Sequence, residues 1–380
     1  MRASGWRTLT PLVLATMASQ SLLVVLGPTI VAIGSELHSP VSTIGQARAV
    51  TAVVSVAASV VLSTRGDALP LRRQLEAGSV LAVLGSAAVA TSTSTPVFLL
   101  SHALVGVAQA LLVSGGFAGV AAFAPDRRGW ATGYVAAAQG AAWVVVNPAA
   151  ASLTERLTWR AAHAVPAAIA VAALLTSRVT SSVPVTAGTG RRAPLRVPSA
   201  RRWVIAEAAG FAAWTAVLTF AGAFFIEQTV APVSTTGWLL AAGALAYLAA
   251  STRSGWLASQ VPRRRLVAIA ALVMATLMPV MLTAGLPTAG AAAAFCLLGL
   301  VGGVRTPTSA ALGLAQLPGQ PTAMMAARTA ATQSGYLLGS VIGGTVIAWS
   351  GYALLGLVLA LVMALSAWLV LRVPDPVRGT

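Results

Sequence analysis

Six ionisable side chains lie inside long apolar stretches of this 380-residue chain: Arg48, His102, His163, Glu207, Arg305 and Arg328. On insertion scales a charged side chain at membrane depth costs roughly 2.5–3.5 kcal/mol, so each needs a chemical reason. Glu207 is the single acid among them. It stands about one helical turn from the end of its stretch, and Arg305 and Arg328 occupy the corresponding parts of two later ones. A carboxylate beside a guanidinium can couple to protons, because losing the Arg contact favours the protonated acid. The other reading sets Glu207 at the water boundary beside Arg201 and Arg202, with its head reaching out. Arg48 and His102 lie about two turns or less from the opposite ends of their stretches. Arg48 offers a planar fork for a carboxylate or similar anion; alternatively both side chains bond backbone carbonyls. His163 follows a Trp-Arg pair near a stretch end and reads as structural.

Uncharged groups extend the set. An amide facing hydrocarbon would go unsatisfied, so Gln20, Gln139, Asn147 and Gln333 are expected to line a cavity. Trp143, Trp214, Phe220, Phe224 and Tyr336 either add a wall for apolar, ring-bearing compounds or face lipid. Catalysis finds little support: there are eight acids and three histidines, with no HExxH, GxSxG, cysteine cluster or phosphate loop. No enzyme activity, cofactor or metal is expected. Cys296 is alone, so no internal disulfide can form.

The elements that must position these residues are membrane-spanning helices. The chain is 57% hydrophobic and 8% charged, with a mean hydropathy of +0.84, where a soluble domain would carry about 25% charged residues. Twelve apolar stretches long enough to cross a bilayer follow one another, at 10–33, 42–63, 77–94, 97–123, 130–153, 162–177, 203–226, 234–252, 266–285, 290–313, 322–347 and 351–371. An all-α membrane protein of twelve helices is therefore predicted. No run alternates with period two, which excludes a barrel. The net charge of +16 comes entirely from Arg on the basic side. With both termini in the cytoplasm, nineteen Arg fall inside and only Arg156 and Arg160 outside, as the positive-inside rule requires. The charge then reports orientation and attraction to anionic headgroups rather than nucleic acid.

The chain also repeats itself. Pro40-Val41-Ser42-Thr43-Ile44-Gly45 recurs 192 residues later as Pro232-Val233-Ser234-Thr235-Thr236-Gly237. The segment from Asp67 to Arg73, with Pro70, lines up at the same offset with Ser259 to Arg265, with Pro262. Two pseudo-symmetric six-helix bundles are implied, at residues 1–180 and 203–380, joined by a polar cytoplasmic linker at 181–202. Duplicated halves are how membrane transporters place a binding site between bodies that rock against each other. Pro125 to Gly129 and Pro318 to Pro321 are expected to form corresponding inner turns.

These features resemble the major facilitator superfamily over nearly the whole length. Its loop motif after helix 2 is matched by Gly255-Trp256-Leu257-Ala258 through Arg263-Arg264, while the first-half copy keeps Asp67, Arg72 and Arg73. Trp159-Arg160 is similar to the pair opening helix 6. Asn147-Pro148-Ala149-Ala150-Ala151 resembles a degraded exporter motif of helix 5, and Gly335, Gly339 and Gly343 form a comparable small-residue face in helix 11. The resemblance implies neighbouring helices 7, 10 and 11, hence a possible Glu207–Arg305–Arg328 cluster. It also implies a conformational lock between Asp67 and the N-terminus of helix 11, with Arg72, Arg73, Arg263, Arg264 and Arg328 around it. The resulting expectation is a monomeric secondary transporter of the inner membrane, exporting small organic molecules coupled to protons. Uptake or exchange of a small anion is the alternative, and a non-transporting sensor is more distant.

Overall fold

The computed structural model describes residues 2–64, 70–178, 193–283 and 285–375. Among them the regular structure is helical, with no strand. Among the described residues, nine helical stretches are long and apolar enough to cross a membrane on length and composition. Two further helices reach spanning length with more polar ends: α5 (Leu71–Ala90), which starts with Arg72, Arg73 and Glu76, and α7 (Pro125–Arg156). The last stretch, α16 (Pro321–Leu371), is two helices joined at Gly351, whose φ of 72° and ψ of −165° leave the helical region. Twelve spans result, in agreement with the expectation.

The boundaries move outward from the apolar stretches. The third span starts at Leu71 rather than 77, because Arg and Glu in its first turns tolerate the interface. Pro125 is the first residue of α7 rather than part of a turn: proline suits the N1 position, where no N–H is needed. Pro321 begins α16 for the same reason, which leaves only Pro318 and Gly319 as the turn. The expected linker falls mostly outside the described residues. Its described end is helical, at Ala193–Arg196, and the next helix begins at Pro198 instead of 203.

The chain divides into two compact units, Met1–Ala187 with Pro232–Ala241 and Gly188–Ala231 with Ala242–Thr380. In the first, α1 (Arg2–Val24) and α2 (Leu26–Glu36) make one span broken at Val25. The break has a local cause: Pro28 has no N–H for the Val24 carbonyl and its ring presses on it. After α3 (Val41–Ile44) come α4 (Ala47–Thr64), α5, α6 (Thr95–Ala118), α7, α8 (Trp159–Ala162) and α9 (Ala164–Ser177). The second unit follows the short α10 (Ala193–Arg196) with α11 (Pro198–Gln228), most of α12 (Val233–Ser251), α13 (Ser254–Gln260), α14 (Arg263–Thr283), α15 (Thr288–Leu314) and α16.

The duplication is written in the backbone as well. The only non-glycine residues with positive φ among those described are His38 (52°) and Val230 (55°), 192 residues apart. Each precedes one of the repeated Pro-Val-Ser-Thr segments. A β-branched residue in the left-handed region is a true outlier, so the turn geometry is imposed by the helices it joins.

Small residues set the helix spacing. Gly335, Gly339 and Gly343 of α16 lie on α11. A Cβ at Gly339 would stand 2.5 Å from the Ala212 carbonyl oxygen, and one at Gly343 would stand 2.6 Å from the Phe220 ring. Thr215 Oγ1 donates to the Gly335 carbonyl at 2.9 Å across this contact. Within the first unit, Gly237 packs on Asn147, Pro148 and Ala151, where a Cβ would lie 3.0 Å from Pro148 Cα. Large apolar side chains such as Leu100, Leu361, Trp238 and Trp349 stay exposed on the outside, a distribution suited to lipid.

Candidate functional site

Glu207 is the only buried acid among the described residues, and its side chain has no exposed surface. It belongs to α11, one turn after Trp203 and one turn before Gly210. The Glu207 Oε1 atom accepts from Arg328 Nε of α16 at 3.2 Å. Its Oε2 accepts from the Ser309 hydroxyl of α15 at 2.7 Å and faces Arg305 Nη2 at 3.6 Å. The Glu207–Arg305–Arg328 cluster is therefore formed, within the second unit.

A set of neighbours that sequence reasoning did not single out holds it in place. Trp203 Nε1 donates to the Ser309 carbonyl at 3.0 Å and lies 3.2 Å from its hydroxyl oxygen. Ser366 Oγ accepts from Arg305 Nη2 at 3.0 Å and donates to the Ala206 carbonyl at 2.6 Å. The Arg305 guanidinium passes directly over Gly210, in the space a Cβ would fill. Arg328 lies over the Phe211 ring, 5.7 Å from its centre. Their only sequence signal is spacing: Trp203, Glu207 and Gly210 share one face of α11, as Arg305 and Ser309 do on α15. Two guanidinium groups face one carboxylate, so the cluster carries a surplus positive charge. Removing one partner of a buried pair costs about 3–5 kcal/mol, so the cluster is strongly coupled.

In the first unit, Arg48 of α4 is 1% exposed and donates from Nη2 to the Leu23 carbonyl at 2.9 Å, beside the α1–α2 break. Its guanidinium also faces the Trp143 ring at 5.6 Å. Asn147 is fully buried one turn after Trp143. Its amide nitrogen donates to the Trp143 carbonyl at 2.8 Å, and its Oδ1 has no hydrogen-bond partner. Gln20 is buried one turn before Leu23. Gln20, Arg48, Trp143 and Asn147 thus gather around the broken first span. His102 of α6 packs on α4 one turn from Arg48, its carbonyl accepting from Thr51 Oγ1 at 3.4 Å. Its Nδ1 bonds the Phe98 carbonyl at 2.8 Å, and its ring joins Phe98, Trp159 and His163 in an aromatic cluster. Gln139, Gln333 and Tyr336 are half-buried, and Trp214 is buried on α11.

Of the expected lock residues, Arg72, Arg263, Arg264 and Arg328 have partners within their own unit. Asp67 lies outside the described residues. Arg72 pairs with Glu76 on its own helix at 2.8 Å, and Arg73 is exposed. The Arg263 guanidinium pairs with Asp375 at 3.0 Å and the Arg264 N–H donates to the same carboxylate at 3.2 Å, tying α14 to the segment after α16. Arg328 is taken up by Glu207.

At the other end each unit has a clasp. In the first, Glu36 accepts from Trp159 Nε1 at 2.6 Å and from Arg160 Nη2 at 2.7 Å, while Arg160 Nη1 also donates to the Ala90 and Ser92 carbonyls. In the second, the Tyr352 hydroxyl donates to Glu227 at 2.8 Å. Tyr352 stands 192 residues after Arg160 and Glu227 stands 191 after Glu36, so the same architectural position is closed twice with different chemistry.

A family model described as Major Facilitator Superfamily matches residues 12–233 and again 203–380. The chain belongs to the major facilitator superfamily. The crystal structure of a D-xylose-proton symporter resembles it with a TM-score of 0.82 at 15% identity, covering 97% of this chain and 98% of that one. At that identity the likeness concerns the fold alone. No curated protein matches the chain. As a member of the superfamily the chain is a multi-pass membrane transporter, and the family model matches it twice, in segments that overlap at residues 203–233. The Glu207 cluster is confined to the second copy, since the positions 192 residues earlier are Ala15, Val113 and Ala136.

Proposed function

We propose that this chain is a proton-coupled secondary transporter that moves small organic molecules across the cytoplasmic membrane by alternating access, with export as its direction. Glu207 is the proton site in this reading. The observation that carries it is one fully buried carboxylate held between two guanidinium groups at the interior of a membrane unit. Protonation cancels the charge that holds Arg305 and Arg328, so the cluster has two discrete arrangements that a proton can bias.

The substrate would meet Gln20, Arg48, His102, Gln139 and Asn147 from the first bundle, and Trp214, Arg305, Gln333 and Tyr336 from the second. Asp67 with the inner Arg residues would lock one conformation. The bundles are assigned to 1–180 and 203–380 with a cytoplasmic linker between, both termini are cytoplasmic, and the transporter works as a monomer without cofactor. Export is favoured by the small-residue faces of helices 5 and 11, which resemble those of exporters. A second reading, uptake or exchange of a small anion, is favoured by the surplus positive charge of the cluster.

The test uses purified protein in liposomes enclosing a pH-sensitive dye, with cationic drugs and small organic anions added in turn. Compound-triggered proton movement that is lost in Glu207→Gln supports the proposal. Substrate movement with no proton signal in either protein would remove Glu207 from this role.

A further inference from the structure

The Glu207 cluster does not use its donors fully. Arg305 is 2% exposed, yet its Nε is buried with no hydrogen-bond partner. Its Nη2 bonds Ser366, and it approaches Glu207 only to 3.6 Å, beyond hydrogen-bond distance. The Glu207 oxygen facing it is engaged instead by the Ser309 hydroxyl. The carboxylate therefore offsets only one of the two positive charges and leaves the Arg305 fork unfilled. A buried guanidinium with an unused edge and an uncompensated charge is a receptor for an acceptor-bearing anion.

The surroundings define the rest of the ligand. Gly302, one turn before Arg305, turns its bare face to Trp214, Tyr247 and Met274, each 3.7 Å from where a Cβ would stand. Phe211 lies under Arg328. The side chains packed beside the pair are aromatic or apolar, a setting that favours an organic anion over a hydrated inorganic ion. Access is from one side: the Arg328 side chain is 20% exposed, against 3% for Arg305 and none for Glu207.

We propose that the Arg305–Arg328 pair binds the carboxylate of a small organic anion, and that Glu207 is the internal counter-ion that occupies the pair when the anion is absent. The exchange balances. The incoming carboxylate accepts N–H bonds from Arg328 and from the unpartnered Nε of Arg305. Glu207 gives up its contact with Arg328 and takes one proton from the buffer acid of the medium onto its carboxylate, while Ser309 continues to donate to it. One negative charge and one proton enter together, leaving the charge of the cluster unchanged. The charged and titratable groups facing Glu207 or its partners are Arg305 on α15, Arg328 on α16 and Tyr247 on α12. The proposal rests on the reading of Glu207 as the proton site; because anion and proton load together, it names the substrate class of the second reading, anion uptake, rather than of export.

The test is isothermal titration of sodium benzoate into the full-length protein in detergent, in two buffers of different protonation enthalpy. The expected result is saturable binding with uptake of about one proton per benzoate, which the two-buffer comparison reads directly. Arg328→Gln should weaken binding about tenfold or more, with Arg328→Lys intermediate because it keeps the charge and loses the fork. Glu207→Gln should bind at least as tightly as wild type, with no proton uptake. Thermal unfolding confirms that each variant is folded. Absence of saturable binding, or binding unchanged in every variant, overturns the proposal, as does chloride competing at concentrations equal to benzoate. If benzoate fails while the liposome proton signal still depends on Glu207, the anion site falls and the proton site stands. If benzoate binds without proton uptake, the counter-ion role falls, and an unaltered liposome signal in Glu207→Gln removes the proton site too.

Discussion

Gly210→Ala adds a single methyl group and should unsettle the whole cluster. The methyl would overlap Arg305 Nη2, stand 2.5 Å from its Cζ and 2.9 Å from Ser366 Oγ. Arg305 is buried, and moving off Gly210 takes its Nη2 away from Ser366 and Glu207. A hydrogen bond to a charged group is worth about 1.5–3 kcal/mol. Against this, Ala in a helix interior is favoured over Gly by about 0.5–1 kcal/mol. The net loss is therefore about 0.5–2.5 kcal/mol, rising toward 3–5 kcal/mol if the ion pair opens fully. Gly133→Ala is the control, since it lies in the interior of α7 with nothing within 4 Å of its would-be Cβ. It should stabilise by about 0.5–1 kcal/mol. For units of this size 1 kcal/mol shifts an unfolding midpoint by about 2–4 °C, so thermal unfolding in detergent separates the two variants. Equal upward shifts would refute the reasoning, because they would mean that Arg305 does not occupy the space over Gly210.

Gly339→Leu forces a branched side chain onto the Ala212 carbonyl and Thr215, so it should abolish stable packing of α16 on α11. A folded, monodisperse Gly339→Leu protein on size-exclusion chromatography would contradict the close contact. Val230→Asn removes a β-branched residue from the left-handed region and should raise the unfolding midpoint by the equivalent of about 1 kcal/mol. Val230 is 82% exposed, so no lost packing should mask the gain.

The spans were legible in the sequence because lipid demands long apolar helices, a signal that is local and summed over some twenty residues. Their ends were not, since Arg72, Arg73 and Glu76 belong to a helix whose first turns lie beyond the apolar part. The repeat was legible at Pro40 and Pro232. Its backbone echo at His38 and Val230 was not, because neither residue type signals positive φ. In the cluster, Glu207, Arg305 and Arg328 stood out by their cost in an apolar setting. Ser309, Ser366 and Gly210 are ordinary residues in membrane helices, and only tertiary contact gives them their role. The Arg160–Glu36 clasp was half visible: the Trp-Arg pair was noted, but its acid lies 124 residues away.

The two clasps give the halves of the chain unequal sensitivity to the surrounding electrolyte. Arg160 and Glu36 form an ion pair with side chains 30% and 46% exposed, open to ions from the medium. Screening lengths fall from about 30 Å at 0.01 M to about 3 Å at 1 M, which weakens such a pair. The Tyr352 hydroxyl brings no opposing charge to Glu227, so concentrated salt leaves that bond nearly as it was. A brine-rich environment would therefore loosen the end of the first six spans while the last six stayed fastened. Ionic strength becomes a one-handed lever on a molecule built from two copies of the same part.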